Sequence, residues 1–128
     1  MKIKNLTYGL AVAFGLIGPA LFLRNVNLAD WGMLIVELGF ALWLLSPFVL
    51  IALAVRSERF SSIGALVATI LAGLFGAWFY TKLTFHFYTK SDAQDAIAML
   101  FVAAYQHAII VLTLGLFSLV GWLQARRK

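Results

Sequence analysis

The chain has 128 residues, of which 63% are hydrophobic and only 12% charged, and its mean hydropathy is +0.96. Soluble domains carry about 25% charged residues, so this composition excludes a water-soluble globular protein. The basic residues behind the formal charge of +5 are divided among the N-terminus, a loop and the C-terminus, so they form no basic patch for nucleic acid. The chain has no cysteine, which excludes disulfides, thiol catalysis and thiolate metal sites.

Four long apolar stretches predict four membrane-spanning helices, at residues 6–23, 31–55, 63–80 and 96–123. Roughly 20 apolar residues cross the hydrocarbon core as a helix, and backbone groups in lipid must be satisfied within the segment. The stretches lack the alternating polarity of barrel strands. Because the connections are short, we expect an all-α integral membrane four-helix bundle with antiparallel up-down topology, in one domain that covers residues 1–128.

The distribution of Lys and Arg predicts the orientation, since cytoplasmic loops carry the excess. One end of the expected bundle has three such residues, Arg24, Lys82 and Lys90. The other end has seven: Lys2, Lys4, Arg56, Arg59, Arg126, Arg127 and Lys128. We therefore expect both termini on the cytoplasmic side, and the small size with this bias fits a bacterial inner membrane.

The N-terminus also has the features of a signal peptide, with Lys2 and Lys4 before an apolar run and small residues around Gly18 and Ala20. The apolar run continues to Leu23, and its removal would leave three spans. We therefore expect an uncleaved first helix.

A row of small residues at every fourth position of the third stretch predicts a close helix contact, because small side chains let helices approach in lipid. The row consists of Gly64, Ala68, Ala72 and Gly76. Its partner is either a second copy of the chain or another helix of the same chain, and the second is favoured because a four-helix bundle needs such contacts. Ala11 and Gly15 form a shorter candidate partner row.

Polar residues inside apolar stretches are costly in lipid and are functional candidates. Glu37 lies in the second stretch, and Gln106 and His107 lie in the fourth. Counted inward from the ends at residues 55 and 122, Glu37 is about 27 Å and His107 about 22 Å deep. We therefore expect the two at similar depth and hypothesise that they pair inside the bundle, with Gln106 or Tyr105 adding hydrogen bonds.

The resulting cluster of Glu37, Gln106, His107 and Arg24 has two interpretations, structural and functional, and a third possibility is that Glu37 simply extends to the outer headgroups. Arg24 ends the first stretch on the same side and competes for Glu37. Polar contacts between membrane helices are mostly structural, at about 0.6–2 kcal/mol each. A carboxylate and a histidine can instead form a proton relay or an ion site.

Pro19 and Pro47 interrupt the hydrogen-bond ladder of the first two helices. Each frees a carbonyl and favours a kink. Such kinks form binding sites in some transporters, but proline is common in membrane helices, so the structural interpretation is favoured.

Residues 81–90 show apolar and polar side chains in alternation, which predicts an extended segment. Directly after it, Ser91 and Gln94 have the spacing of a capping box, with Asp92 and Asp95 in the first turn. The fourth helix is thus expected to start near Asp92 and to run for about 45 Å, longer than the hydrocarbon core. Residues 81–95 would then form an outer loop.

Aromatic residues near the span ends predict interfacial belts. One belt comprises Trp31, Trp78, Tyr80, Phe85, Phe87 and Tyr88, and the other comprises Tyr8, Phe60 and Trp122.

The sequence favours a non-enzymatic function. It contains no zinc-protease, nucleophile-elbow or paired-carboxylate motif. Its only histidines, His86 and His107, are expected at different depths, which argues against axial ligation of a haem, and no cofactor or metal is expected. We expect an accessory or regulatory membrane protein that acts through helix packing and its outer loop on another membrane protein. The alternative is a small oligomeric channel or transporter that uses Glu37 and His107, with the small-residue row joining its copies.

Overall fold

The protein, described here as a computed structural model, is all-helical. The structure describes residues 2–23, 31–57, 59–89 and 93–127, without the side chains of residues 86–89 and 93–96. Its helices are α1 (Lys2–Leu23), α2 (Trp31–Arg56), α3 (Ser62–Thr89) and α4 (Ala93–Arg126). Each is long and apolar enough to cross a membrane. The predicted bundle of four membrane-spanning helices is confirmed to this extent.

Helix α3 continues well beyond the predicted span, and the extended segment predicted for residues 81–90 is wrong. The helix runs without a break to Thr89. Leu83 packs on the same buried cluster as Tyr80, three residues earlier, and that spacing places both side chains on one helix face. The alternation of apolar and polar residues is therefore compatible with a helix, and residues 81–89 and 93–95 of the predicted outer loop belong to α3 and α4.

Helix α4 begins at Ala93, close to the predicted start, and its 34 residues give a length of about 51 Å. The hydrocarbon core is ~30 Å thick, so α4 extends beyond it. The 28 residues of α3 likewise span about 42 Å. The predicted capping residues Ser91 and Asp92 lie outside the described residues.

Helices α2 and α3 each contact all three other helices, and α3 is the central element because its contacts with α1 and α4 are the most extensive. Within the described residues no Cα atom of α1 lies within 8 Å of a Cα atom of α4. The core has two buried clusters along the bundle. One joins Ala11, Phe48, Ala68 and Ile110, and the other contains Leu44 and Tyr80.

Helices α1 and α3 interlock through aromatic side chains that lie over glycines of the opposite helix. The ring of Phe14 lies on Gly73, and the ring of Tyr80 lies on Gly18, where an added Cβ would be 2.8 Å from Tyr80 Cε2. Gly15 instead faces Phe48 and Leu45 of α2. The prediction that Gly15 belongs to a partner row for α3 is therefore wrong.

The small-residue row of α3 lies against α4. An added Cβ on Gly64 would be 2.9 Å from Phe117 Cβ, and Gly76 faces the amide of Gln106. Between them, Ala68 and Ala72 are completely buried. The row is thus occupied within the chain.

Most of the predicted belt side chains that the structure describes are exposed. Trp31, Trp78, Phe85, Tyr8, Phe60 and Trp122 all present large surface areas. Tyr80 differs, since it is only 2% exposed, and its assignment to a belt is wrong because its ring fills the notch at Gly18. The side chains of His86, Phe87 and Tyr88 lie outside the described residues.

Candidate functional site

A buried hydrogen-bond network joins α3 to α4 around Gln106. Its Nε2 donates to the Ala72 carbonyl (2.9 Å), and its Oε1 accepts from the Tyr80 hydroxyl (3.1 Å). Gln106 and Tyr80 are both almost wholly buried. Gly76 makes room for the amide between these two partners. The network satisfies both ends of the amide, as a buried polar group requires, and stabilises the contact between α3 and α4.

The second polar site lies between α2 and α4 and centres on His107. Its Nε2 lies 3.2 Å from Ser46 Oγ, and its Nδ1 lies 2.8 Å from the Ala103 carbonyl oxygen. The imidazole stacks on the indole of Trp43, with 5.1 Å between ring centroids and 22° between planes. Trp43 Nε1 in turn donates to the Leu100 carbonyl (3.0 Å). Both helices therefore hold the histidine in one orientation.

Pro47 gives Ser46 a structural role within α2. Proline has no N–H, so a helix leaves the carbonyl four residues earlier without its donor; here that carbonyl belongs to Trp43. Ser46 Oγ donates to this oxygen at 2.6 Å. The hydroxyl thus replaces the bond that Pro47 removes, and α2 remains helical through residue 47.

The hydrogen bonds of His107 indicate which ring nitrogen is the donor. A carbonyl only accepts, so Nδ1–H donates to the Ala103 carbonyl. Nε2 is then an acceptor that faces Ser46 Oγ. The single hydroxyl proton of Ser46 has two acceptors beside it, the Trp43 carbonyl and Nε2.

Glu37 lies apart from this site. Ser46, at the level of His107, is nine residues further along α2, which is roughly 13 Å of helix. Among the described residues no hydrogen bond joins Glu37 to His107, and the buried Glu37 Oε2 has no partner. The structure therefore does not form the hypothesised pair.

The depth prediction was wrong because it assumed that residues 55 and 122 end at the same level. One groove is lined by Ala54 of α2 and Ser57 just after it, and by Leu114 and Gly115 of α4. Residue 122 therefore lies about two helical turns beyond the level of residue 55.

The remaining members of the predicted cluster also separate. Arg24, the competing partner of Glu37, lies outside the described residues. Tyr105 is 60% exposed and contacts the ring of Phe75, so it adds nothing to either polar site. Ser46 and Trp43 were missed. The signal for them was present, since a serine directly before a mid-span proline can bond the freed carbonyl.

The described residues contain no cluster of three His, Asp or Glu side chains that could hold a metal ion. Comparisons with protein-family models, curated proteins and solved structures give no match. The geometry of the described residues therefore provides two polar contacts between helices: a satisfied amide network between α3 and α4, and a histidine held between α2 and α4 by Ser46 and the Trp43 ring.

Proposed function

We propose that this chain is a small, non-enzymatic, multi-pass membrane protein that assists or regulates another membrane protein through its lipid-facing helix surfaces. One observation carries the proposal: the small-residue row from Gly64 to Gly76 is already filled by α4. That row was the best candidate surface for joining copies of the chain. Since it is used internally, the exposed helix surfaces remain for a foreign partner.

The channel or transporter alternative receives less support. It needs Glu37 and His107 along one route, yet they are separated by about nine residues of helix rise and share no hydrogen bond among the described residues. Ala68, Ala72, Ala103 and Ile110, at the contacts of α3 with α4, have no exposed surface at all. A single copy therefore offers no polar path at these positions.

The partner-facing surfaces that we infer are apolar. Leu42 of α2 and Leu112 of α4 are 67% and 73% exposed. Helices α3 and α4 are both longer than the hydrocarbon core. Their projecting ends take the role that the sequence assigned to an outer loop.

We also propose an antiparallel up-down arrangement with both termini in the cytoplasm of a bacterium. Contacts support the arrangement, since Tyr8 bonds to the Ala52 carbonyl and Phe22 packs on Phe40. Residue numbers therefore increase along α1 in the direction in which they decrease along α2. The excess of Lys and Arg at the end with residues 2, 56 and 126 supports the orientation.

Cysteine labelling tests this orientation. Because the chain has no cysteine, Ser57→Cys and Ser91→Cys give single-cysteine variants. Only Ser57→Cys should react with an impermeant maleimide added to inside-out inner-membrane vesicles.

Photo-crosslinking in the native membrane tests the function. A photoreactive amino acid at position 42 or 112 should join the chain to one foreign membrane protein in stoichiometric yield, and the same probe at position 68, which is completely buried, should not. Native mass spectrometry after mild extraction should show the same pair. Crosslinks between copies of the chain, with a homo-oligomer in the mass spectrum, would contradict the accessory function and support the channel.

A further inference from the structure

An open groove of about 500 Å³ runs along the outer surface between α2 and α4. Its walls are apolar and include Leu50 and Leu53 of α2 and Val111 and Gly115 of α4. Leu53 and Val111 are more than half exposed. An added Cβ on Gly115 would meet nothing within 4 Å. The groove is therefore empty on the side of α4 and open to the surroundings of the bundle.

The mouth of the groove is polar and cationic. It is formed by Ser57, Arg59 and Phe60, directly after the end of α2. No ion pair or hydrogen bond within the described part of the chain engages the exposed Arg59 guanidinium. Arg56, the last residue of α2, adds a second cation at this end. The sequence places one acid, Glu58, between them, outside the described residues, so the two arginines leave a net positive charge.

We propose that this groove binds one phospholipid with an anionic headgroup, with an acyl chain between α2 and α4 and the phosphate at Arg59. The six residue steps from Leu50 to Arg56 rise about 9 Å, so the apolar walls lie just inside the membrane and Arg56 and Arg59 lie at headgroup level. Basic residues beside the end of a membrane helix attract anionic lipid.

Two glycines provide a matched pair of variants. Gly115→Phe places a ring in the groove without a steric clash at Cβ, because an added Cβ on Gly115 would meet no atom within 4 Å. Gly9→Phe is the control, since Gly9 has equally open surroundings. The hydroxyl of the neighbouring Tyr8 bonds to the Ala52 carbonyl, so Gly9 lies near the level of the groove. It belongs to α1, which has no Cα atom within 8 Å of α4 among the described residues, so a ring at position 9 should stay outside the groove.

The test uses the full chain in nanodiscs of equal parts phosphatidylglycerol and phosphatidylethanolamine, followed by extraction and native mass spectrometry. We expect the wild-type monomer to retain one phosphatidylglycerol. Arg59→Gln should lower the retained ratio of phosphatidylglycerol to phosphatidylethanolamine about fivefold, as loss of one interfacial cation predicts. Gly115→Phe should lose the bound lipid, and Gly9→Phe should keep it.

Three results would overturn the inference: equal retention by Gly115→Phe and Gly9→Phe, equal retention of the two lipids by the wild type, or an unchanged ratio in Arg59→Gln. A photoreactive amino acid at position 115 that crosslinks to a protein in place of lipid would overturn it too. The lipid is measured on the isolated chain, so the outcome of this test does not depend on whether the chain has a protein partner.

Discussion

Ser46 donates its hydroxyl proton to the Trp43 carbonyl, the oxygen that Pro47 leaves without a helical donor. The same oxygen atom of Ser46 lies 3.2 Å from Nε2 of His107. The Ser46 side chain thus both replaces the hydrogen bond that Pro47 removes from α2 and contacts α4.

Ser46→Ala should destabilise the bundle by about 1 kcal/mol, the usual size of a polar contact between membrane helices. The loss should shrink in a Pro47→Ala background, where residue 47 regains an N–H for the Trp43 carbonyl. Unfolding by SDS in mixed micelles measures both values. Thr113→Val is the matched control, because Thr113 donates to the Ile109 carbonyl within an uninterrupted helix. If Ser46→Ala cost no more than Thr113→Val, the repair role would be refuted.

Gly76→Ala should destabilise the bundle strongly, since the new Cβ would collide with the Gln106 amide. Gln106→Ala alone should also be destabilising, because it leaves the buried Tyr80 hydroxyl without its partner, a penalty of about 1–3 kcal/mol. The collision cannot occur in the double variant, so the two losses should be less than additive. SDS unfolding of the four proteins measures the coupling. Gly9→Ala, with open space around Gly9, should be neutral, and additive losses would contradict the packing described here.

His107→Ala should change the fluorescence of Trp43, because the imidazole stacks on the indole at 5.1 Å. The experiment uses a variant in which Trp31, Trp78 and Trp122 are replaced by Phe, so that Trp43 is the only emitter. His107→Phe is the control, since it keeps an aromatic ring at this position and should change the emission less. Identical emission spectra with and without His107→Ala would contradict the stacked arrangement.

Glu37→Gln should stabilise the bundle, because the buried Oε2 of Glu37 has no partner among the described residues. A buried carboxylate oxygen without a donor loses its hydration, at about 1–3 kcal/mol or more. The amide reduces this penalty since it carries no charge. SDS unfolding of Glu37→Gln, Arg24→Gln and the double variant decides the matter. A destabilised Glu37→Gln whose effect disappears in the Arg24→Gln background would show instead that Glu37 pairs with Arg24.

The sequence was sufficient for the number of helices and the position of each span, because hydropathy over about 20 residues is a strong signal. It was not sufficient for the direction in which side chains face. Lipid and the interior of a membrane bundle are both apolar, so no polarity contrast distinguishes the buried Tyr80 from the exposed Trp78. The pairing of Glu37 with His107 failed for a related reason: depth was counted from span ends, and α4 extends further beyond the level of α2 than its composition reveals.

The central position of α3 also has a consequence for how the chain is made. Helices α1 and α2 are synthesised first and meet through Gly15 and Phe48, but Phe14 and Gly18 stay uncovered until α3 arrives with Gly73 and Tyr80. The Tyr80 hydroxyl then gains its acceptor only when Gln106 of α4 is in place. Each newly inserted helix therefore completes a surface left by the earlier ones, and a chain cut short before residue 106 leaves the Tyr80 hydroxyl without this partner inside the bundle.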